Sequence, residues 1–253
     1  MMLDIALLSR HERKAFSFSG GKDSTAVWHM LRDAGVLEQF TVYHTDTGDL
    51  LPEMQDVVAH YAALTPHFVH LRQDVHAWIA EHGLPTDLLP YTAHSVGAQF
   101  GQAGVRLVPR YDCCAANLML PTYMRIVEDG NTLIVRGTKQ ADAKRLPVRS
   151  GAVVEGIEHY YPLMEWSHQQ VFDYLRSVGA KVSTVYDCMT NAPECATCSA
   201  WWGEGRAAYL KHRRPDLFAR YAERMRAVVA ELEPVVSTLL PEMIGTQEGV
   251  PHA

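Results

Sequence analysis

The segment FSFSGGKDSTAVWHML, residues 16–31, constrains the fold of this chain more than any other. An apolar run ends in a glycine pair, and a helical pattern begins directly after it. Glycines let the backbone approach an anion, while the following helix presents its N–H groups and the positive end of its dipole. The segment therefore predicts a strand, a phosphate-binding turn and a helix in succession.

Short apolar runs alternate with helical patterns along much of the chain. Residues 40–46 and 67–71 read as strands, and helical spacing follows each of them, over 52–64 and 74–83. A further helical pattern over 115–128 precedes an apolar run over 131–137. This alternation predicts βαβ units and a parallel sheet that binds ligands at the carboxyl ends of its strands. We therefore expect an α/β fold with a doubly wound, mostly parallel sheet and helices on both faces.

Other segments carry weaker patterns. Residues 84–110 mix glycine, proline and polar residues and suggest a loop or lid, and residues 140–157 suggest a long loop. Ser167 is suited to cap a helix, and a last helix is expected from Pro215 onwards. The tail after Glu233 is expected to be partly disordered. The predicted domains are an α/β domain over 1–180 and a helical segment over 181–253 packed on that same domain.

Composition narrows the range of partners. The chain has 253 residues, a net charge of −6 and an isoelectric point near 6.1, which gives no global reason to bind nucleic acid or an anionic membrane. The basic run at 211–216 admits a nucleic-acid contact, but a solvated helix start explains it better. No apolar run approaches the roughly 20 residues of a spanning helix. We expect a cytoplasmic homo-oligomer with no membrane partner.

The glycine turn is not an ordinary P-loop. That motif would require glycine in place of Phe16 and serine or threonine in place of Asp23. Instead, SFSGGKDS resembles the pyrophosphate loop, or PP-loop, of the adenine-nucleotide α-hydrolase-like superfamily. The resemblance implies an adenine-nucleotide ligand and assigns nucleotide contacts to six residues: Ser19, Gly20, Gly21, Lys22, Asp23 and Ser24.

A second element narrows the resemblance. HTDTGDLLPEM resembles the Asp-Thr-Gly-x-x-x-Pro-Glu-Thr element of the phosphoadenylyl- and adenylyl-sulfate reductase family (PAPS and APS reductases), although Met54 replaces the family threonine. Asp46 and Thr47, at the end of a strand, are placed to reach ribose or phosphate, and Gly48 permits a tight turn. A capped turn before the helix at Pro52 is the simpler alternative.

A basic loop provides a looser match. VRGTKQADAKRLP follows a predicted strand, as the arginine-rich substrate loop of the family does. Its basic side chains are candidates for charge-assisted hydrogen bonds to sulfate or phosphate. A solvated basic loop explains any one of them equally well. The candidates are Arg136, Lys139, Lys144 and Arg145.

Four of the five cysteines form a metal-binding pattern. Cys113 and Cys114 are adjacent, and 80 residues separate Cys114 from the CxxC pair Cys195 and Cys198. Four thiolates suit either a [4Fe–4S] cluster or a structural zinc, and free thiols remain a third alternative. The spacing resembles the cluster-binding pattern of iron–sulfur APS reductases. This resemblance favours [4Fe–4S] and makes the C-terminal part a cluster-binding helical segment.

The fifth cysteine and the C-terminus leave the reaction open. Reductases of this family carry a nucleophilic cysteine in a C-terminal Glu-Cys-Gly-x-His segment, but this chain has no cysteine after Cys198. Sulfur attack requires a thiolate, which would then come from Cys188 or from a partner's thiol. Alternatively, Cys188 is a small apolar residue that packs in the core without a chemical role. Trp201 and Trp202 would shield a cluster or pack in a core.

Three functional interpretations follow. The first is a reductase-like enzyme that uses PAPS or APS beside the cluster, with a thiol or electron-donor protein as its partner. The second is an ATP pyrophosphatase that adenylates a target for sulfur insertion into nucleic acid. In it, Asp23 would help to place Mg²⁺ and Lys22 would stabilise the phosphates. The third is a non-catalytic nucleotide-binding homologue. The candidate catalytic residues are Lys22, Asp23 and Cys188.

Overall fold

The computed structural model describes residues 3–101, 103–140, 142, 148–203 and 205–244. No helix in these ranges is both long and apolar enough to cross a membrane. The described strands are β1 (Lys14–Ser17), β2 (Phe40–Asp46), β3 (Phe68–Arg72), β4 (Leu84–Thr86), β5 (Leu107–Pro109), β6 (Leu133–Arg136), β7 (Val153–Val154) and β8 (Ile157–Tyr160). The described α-helices are α1 (Ile5–Ser9), α2 (Lys22–Asp33), α3 (Pro52–Ala63), α4 (Val75–His82), α5 (Ser95–Gln99), α6 (Arg110–Cys114), α7 (Leu120–Glu128), α8 (His168–Ser177), α9 (Arg206–Arg213) and α10 (Pro215–Ile244).

The chain divides into two compact units that are discontinuous in sequence. Unit 1 comprises Met1–Gln73 and Ala116–Cys195, and unit 2 comprises Asp74–Ala115 and Ala196–Ala253. This division differs from the contiguous boundary predicted at residue 180. Residues 74–115 form a compact unit with C-terminal residues because their apolar side chains pack there, and such long-range packing leaves no local mark in the sequence.

Unit 1 contains a doubly wound sheet. Among the described residues it has six strands in the order β3-β2-β1-β6-β8-β7. All neighbouring pairs are parallel except β7 with β8. The chain runs outward from β1 to β3 and then returns to add β6 on the other side of β1. The predicted mostly parallel α/β fold is therefore confirmed, and the switch point lies between β1 and β6.

The register of the central strands sorts their side chains between the two faces. Ala15, Tyr43 and Ile134 share one face with Ile157, and they form a buried cluster with Ile126 of α7. On the opposite face, the ring of Phe18 packs edge-on against Tyr61 of α3, with ring centroids 5.6 Å apart. Helices therefore cover both faces of this sheet.

Local signals determine several helix starts. Helix α2 begins at Lys22 directly after Gly21, and α3 begins at Pro52, whose fixed φ suits a first helical position. Ser167 caps α8, where its hydroxyl accepts the amide of Gln170 and the Gln170 side chain accepts the amide of Ser167. This reciprocal capping confirms the start predicted at Ser167.

Unit 2 contains secondary structure where a loop or lid was predicted. Within residues 84–110, β4 and β5 pair in parallel, and α5 lies between them. Leu84 and Leu107 are buried in one cluster with Val228 of α10. The loop prediction was wrong because each strand has only three residues and contains a proline. Burial against α10 stabilises these two strands, and the local sequence pattern does not indicate them.

Two further predictions need correction. Strands β7 and β8 lie at the end of, and just beyond, the long loop predicted over 140–157; two- and four-residue strands are too short to give a clear alternation. Helix α10 continues to Ile244, past Glu233, where a partly disordered tail was predicted. Pro234 and Pro241 lie inside this helix, and prolines are usually read as helix ends.

Candidate functional site

A cavity of about 310 Å³ opens in unit 1 beside the switch point. Its wall includes the turn after β1, the end of β2, the start of the segment after β6, and residues 186–194. This is the edge at which doubly wound sheets bind ligands. The lining residues are Ser17, Phe18, Ser19, Gly21, Lys22, Asp23, Ser24, Tyr43, His44, Thr45, Leu50, Leu118, Met119, Thr122, Arg136, Gly137, Thr138, Asp142, Tyr186, Asn191, Ala192 and Glu194.

The turn between β1 and α2 is held by its own serines. The amide of Ser19 donates to Ser24 Oγ at 3.2 Å, and Ser24 Oγ donates to the carbonyl of Gly21 at 3.0 Å. Gly20 has φ +78°, and a Cβ there would lie 2.6 Å from Val58 Cγ2. Glycine is therefore required at position 20 both by the backbone conformation and by the neighbouring helix α3.

Lys22 is a buried lysine in the wall of the cavity. Its side chain is 2% exposed, and Nζ donates to Asp23 Oδ2 at 3.2 Å and to Asn191 Oδ1 at 3.0 Å. Its backbone amide donates to the hydroxyl of Tyr186 at 2.8 Å. Burial lowers the pKa of Lys22, and the nearby Asp23 opposes this shift. A bound anion would favour the charged ammonium in the same way.

Lys139 is a second buried lysine beside the turn. It has no exposed side-chain surface, and its Nζ lies 2.6 Å from Asp23 Oδ1 and 3.3 Å from Asp142 Oδ2. Gly137 allows this approach, because a Cβ there would lie 2.6 Å from the carbonyl carbon of Asp23. Asp23 therefore connects the turn after β1 with the segment after β6.

The Asp-Thr-Gly element forms a turn at the end of β2. Asp46 Oδ1 accepts the amide of Gly48 at 2.9 Å, and Gly48 has φ +83°. Thr47 is buried and its hydroxyl donates to the carbonyl of Glu194 at 3.3 Å. None of Asp46, Thr47 and Gly48 is among the described residues that line the cavity. Their predicted nucleotide contacts stay predictions.

One basic residue of this loop lines the cavity in the described part of the chain. Arg136, the last residue of β6, lines the cavity, and burial lowers the pKa of its guanidinium. Lys144 and Arg145 lie outside the described residues. Lys139 is not among the described lining residues, but it forms ion pairs with Asp23 and Asp142, which line the cavity.

The cysteines are not gathered into a metal site in the described structure. All five are thiols: Cys113 is buried, Cys188 is exposed, and Cys114, Cys195 and Cys198 are of intermediate exposure. Cys195 belongs to unit 1, whereas Cys113, Cys114 and Cys198 belong to unit 2. Among the described residues, no three His, Cys, Asp or Glu side chains are grouped closely enough to hold a metal ion.

Local contacts of two cysteine thiols are defined within their own units. Cys195 Sγ donates to the hydroxyl of Thr47 at 3.2 Å, and the amide of Ala200 donates to Cys198 Sγ at 3.4 Å. Cys188 follows a 3₁₀ turn over Thr184–Asp187 and is not among the described lining residues. The catalytic role predicted for Cys188 is therefore not tested by the geometry.

Several site residues carried no sequence signal. Tyr186 and Asn191 contact Lys22 from a distant part of the chain, and Asp142 reaches Lys139. His168, the first residue of α8, has a buried Nδ1 with no hydrogen-bond partner among the described residues. Burial, with Lys22 and Lys139 nearby, lowers its pKa. Of these residues, only Asp142 could have been predicted from the sequence, because it follows Lys139 by three residues in the TKQAD segment.

These features define a doubly wound α/β protein with a glycine turn and a cavity at its switch point. Residues 13–68 match the phosphoadenosine phosphosulfate reductase domain. The structure is similar to a crystal structure of PAPS reductase from Candida auris in a phosphate complex, with a TM-score of 0.51 and 15% sequence identity, over 72% of this chain and 81% of that chain. Among curated proteins, no sequence matches this chain significantly. The domain match covers the turn between β1 and α2 and the end of β2, and the structural similarity shows a shared fold over most of the chain.

Proposed function

We propose that unit 1 binds an adenine nucleotide with its phosphate groups at the turn between β1 and α2, and that the protein is a sulfonucleotide reductase-like enzyme. The observation that carries this proposal is the buried ammonium of Lys22 in the wall of a cavity at the switch point. The cavity volume lies at the lower end of the range typical of small-molecule sites. The phosphate in the similar fungal reductase structure is consistent with an oxyanion ligand.

The charges around the turn support an anionic ligand. Lys22 and Lys139 share the single carboxylate of Asp23, and Asp142 adds a second carboxylate beside Lys139. Helix α2 directs the positive end of its dipole toward the same turn. A phosphate that contacts Lys22 would therefore meet a cation, hydroxyl groups and a helix N-terminus together.

The reductive step requires a thiolate that the cavity does not supply from its described lining. In such a step a thiolate attacks the sulfur of the sulfonucleotide, the bond from sulfur to the bridging phosphate oxygen breaks, and the nucleotide leaves. A second thiol then releases sulfite as a disulfide forms. The described lining contains no cysteine. We propose Cys188 or a partner's thiol as the nucleophile.

An ATP pyrophosphatase is the second candidate function. The observation that favours it is the polar lining itself, which includes the acidic residues Asp23, Asp142 and Glu194 and no cysteine among the described residues. Carboxylates are the ligands that Mg²⁺ prefers beside a nucleotide. Lys22 would then stabilise the phosphates as the bond between the α- and β-phosphates breaks and an adenylated acceptor forms.

Binding and product assays separate these candidates. Isothermal titration calorimetry with AMP, ATP, APS and PAPS should show nucleotide binding that Lys22→Met weakens by about tenfold or more. Lys181→Met, at an exposed lysine of unit 1, is the matched control and should bind as the unmodified chain does. Thiol-dependent sulfite release identifies the reductase, and Mg²⁺-dependent pyrophosphate release identifies the pyrophosphatase. Binding of none of the four nucleotides would refute the proposal.

We also propose that Cys113, Cys114, Cys195 and Cys198 hold a [4Fe–4S] cluster, with zinc as the alternative. The donor set fits in type and number, and the amide that donates to Cys198 Sγ is the kind of hydrogen bond that stabilises a ligating thiolate. A cluster would supply a one-electron redox centre held by four thiolates. Anaerobic purification, a visible spectrum, and iron, sulfide and zinc analysis test the assignment. A colourless protein without any of these metals would contradict it.

A further inference from the structure

Helix α10 of unit 2 carries an apolar stripe along most of its length. Apolar side chains recur in alternating steps of four and three residues, which is the a/d pattern of a coiled coil, over about three and a half heptads. A helix with this pattern is suited to pack lengthwise against another helix. The stripe residues are Phe218, Ala222, Met225, Val229, Leu232, Val236, Leu239 and Met243.

The C-terminal half of this stripe is not covered by the described residues. Beside the stripe, Val228 is fully buried in the hydrophobic cluster of unit 2, and Leu232 packs against that cluster. Further along, Val236 is 41% exposed, Leu239 is 52% exposed and Met243 is 71% exposed. A contiguous exposed apolar patch on a folded protein marks an interaction surface. The heptad spacing indicates that the partner at this surface is a helix.

The two prolines of α10 lie on the opposite face. Pro234 and Pro241 are seven residues apart, at the heptad position farthest from the stripe. Neither can donate a hydrogen bond to the carbonyl four residues before it, which belongs to Ala230 or Ser237, and both of these residues are exposed to water. Loss of hydrogen bonds on one side bends a helix toward its other side, and helices curve around what they cover. The positions of the prolines therefore favour a partner on the stripe.

Charges beside the stripe identify the partner and its direction. Arg226 and Glu233 are both exposed, and they occupy the same flanking position, e, one heptad apart. In an antiparallel pair of identical helices the e positions face each other, so Arg226 of one copy meets Glu233 of the other, twice by symmetry. In a parallel pair, Tyr221 and Val228 would face these charges instead, and neither is charged. The charges therefore fit an antiparallel second copy of this chain.

We propose that α10 pairs with α10 of a second copy of this chain as an antiparallel two-stranded coiled coil, and that the apolar stripe is the interface of this dimer. The interface lies in unit 2, so it does not depend on the nucleotide-binding function proposed for unit 1.

The register set by the charges also covers the whole stripe. When Arg226 lies opposite Glu233, the midpoint of the pairing falls between Ala230 and Glu231, and every apolar layer joins one a position with one d position. All eight stripe residues then have an apolar partner. The layers are Val229 with Leu232, Met225 with Val236, Ala222 with Leu239, and Phe218 with Met243.

Analytical ultracentrifugation of the intact chain tests the interface. The unmodified chain should sediment as a dimer of twice its 28.3 kDa mass. Leu239→Lys places a charge within the exposed half of the stripe and should weaken the dimer by about 100-fold or more. Thr238→Lys, the same change at the exposed neighbouring position outside the stripe, is the matched control and should leave the dimer intact. Circular dichroism should show that both variants stay folded, because neither side chain is buried.

An exchange of charges tests the antiparallel direction. Arg226→Glu places like charges opposite each other and should weaken the dimer by about tenfold or more. The double variant Arg226→Glu/Glu233→Arg restores opposite charges in the antiparallel pair but not in a parallel one. Its dimer affinity should return to within about threefold of that of the unmodified chain.

The outcomes that would contradict the proposal are distinct. A chain that sediments as a monomer, a dimer that survives Leu239→Lys, or an equal loss in Thr238→Lys would overturn the interface. An unaffected Arg226→Glu dimer, or a double variant that does not recover, would overturn the antiparallel arrangement.

Discussion

Lys139 Nζ lies 2.6 Å from Asp23 Oδ1, so that a fully buried lysine of the segment after β6 pairs with the first turn of α2. The same carboxylate accepts a hydrogen bond from Lys22 through its other oxygen. Asp23 thus balances two ammonium groups at the edge where β1 and β6 diverge. This shared carboxylate fixes the relative position of the two segments that form the cavity wall.

Removal of Lys139 should destabilise unit 1. Lys139→Met leaves the carboxylates of Asp23 and Asp142 without their buried partner, and we expect a loss of about 3 kcal/mol in the free energy of unfolding. Urea denaturation followed by circular dichroism measures the change. The exposed-lysine variant Lys181→Met should change stability by less than about 0.5 kcal/mol. Equal stability of the two variants would show that the pair contributes nothing.

A methyl group at Gly137 should disturb the site directly. Its Cβ would lie 2.6 Å from the carbonyl carbon of Asp23 and 2.7 Å from the amide nitrogen of Ser24, and neither backbone atom can move freely. Gly137→Ala should therefore weaken nucleotide binding by about tenfold or more and lower stability by about 1–3 kcal/mol.

Gly35→Ala is the comparison for this variant. Gly35 has φ +68° and open space around its Cβ position, so alanine there should lower stability by about 1 kcal/mol through backbone strain alone. Its nucleotide affinity should be unchanged. A Gly137→Ala chain that binds nucleotide normally would show that the approach of the two segments is not required for the site.

Stability should fall in mild acid because of buried histidines. His29 is 4% exposed, its Nε2 lies 2.9 Å from the hydroxyl of Tyr61, and burial lowers its pKa from 6.5 to about 4. Between these values the unfolded chain binds a proton that the folded chain does not. The contribution of His29 is therefore complete above pH 6.5 and is lost as the pH falls toward 4.

The variant His29→Gln isolates this effect. At about 1.4 kcal/mol per pKa unit, the His29 contribution amounts to at most about 3.5 kcal/mol. The free energy of unfolding, measured by urea denaturation between pH 7 and pH 4, should decline less steeply in His29→Gln than in the unmodified chain. A residual slope is expected because His159 carries a similar shift. Identical slopes in both chains would contradict the assignment.

Asp87 should stabilise the tryptophan pair of unit 2. Its Oδ2 accepts the amides of Trp201 and Trp202, and its Oδ1 lies 2.9 Å from Arg110 Nη1. The guanidinium of Arg110 lies 3.7 Å from the centroid of the Trp201 ring. Asp87→Asn should lower stability by about 1–2 kcal/mol, because charge-assisted hydrogen bonds and a cation–π contact are weakened together.

Tryptophan fluorescence in the folded state reports on this contact. Asp87→Asn should shift the emission maximum, whereas Asp173→Asn, at an acid that is 57% exposed, should change neither emission nor stability by a measurable amount. An Asp87→Asn chain with unchanged emission and stability would show that the carboxylate does not organise the tryptophans.

Local sequence signals predicted much of unit 1. Strand β2 spans the predicted residues 40–46, and α3 begins at the predicted Pro52. The serine cap of α8 was also predicted. These elements could be predicted because their periodicity, their caps and their fixed proline φ are properties of a few neighbouring residues. The glycine turn belongs to the same group, since it is defined by six consecutive residues.

Unit 2 shows where this reasoning fails. Strands β4 and β5 have three residues each, and the parallel pair they form is stabilised by burial against Val228 of α10. No window of sequence around residues 84–110 contains that partner. Helix α10 likewise continues past Pro234 as an extension of a long helix. The residues near its end do not by themselves indicate this continuation.

The sequence by itself determined the βα order and the turn between β1 and α2, because each depends on residues that are close in the chain. Only the tertiary structure decided which distant side chains meet there. Tyr186 and Asn191 contact Lys22, Asp142 pairs with Lys139, and Arg136 lines the cavity from the end of β6. These contacts depend on strand order and on the packing of helices against the sheet, which act over long sequence separations.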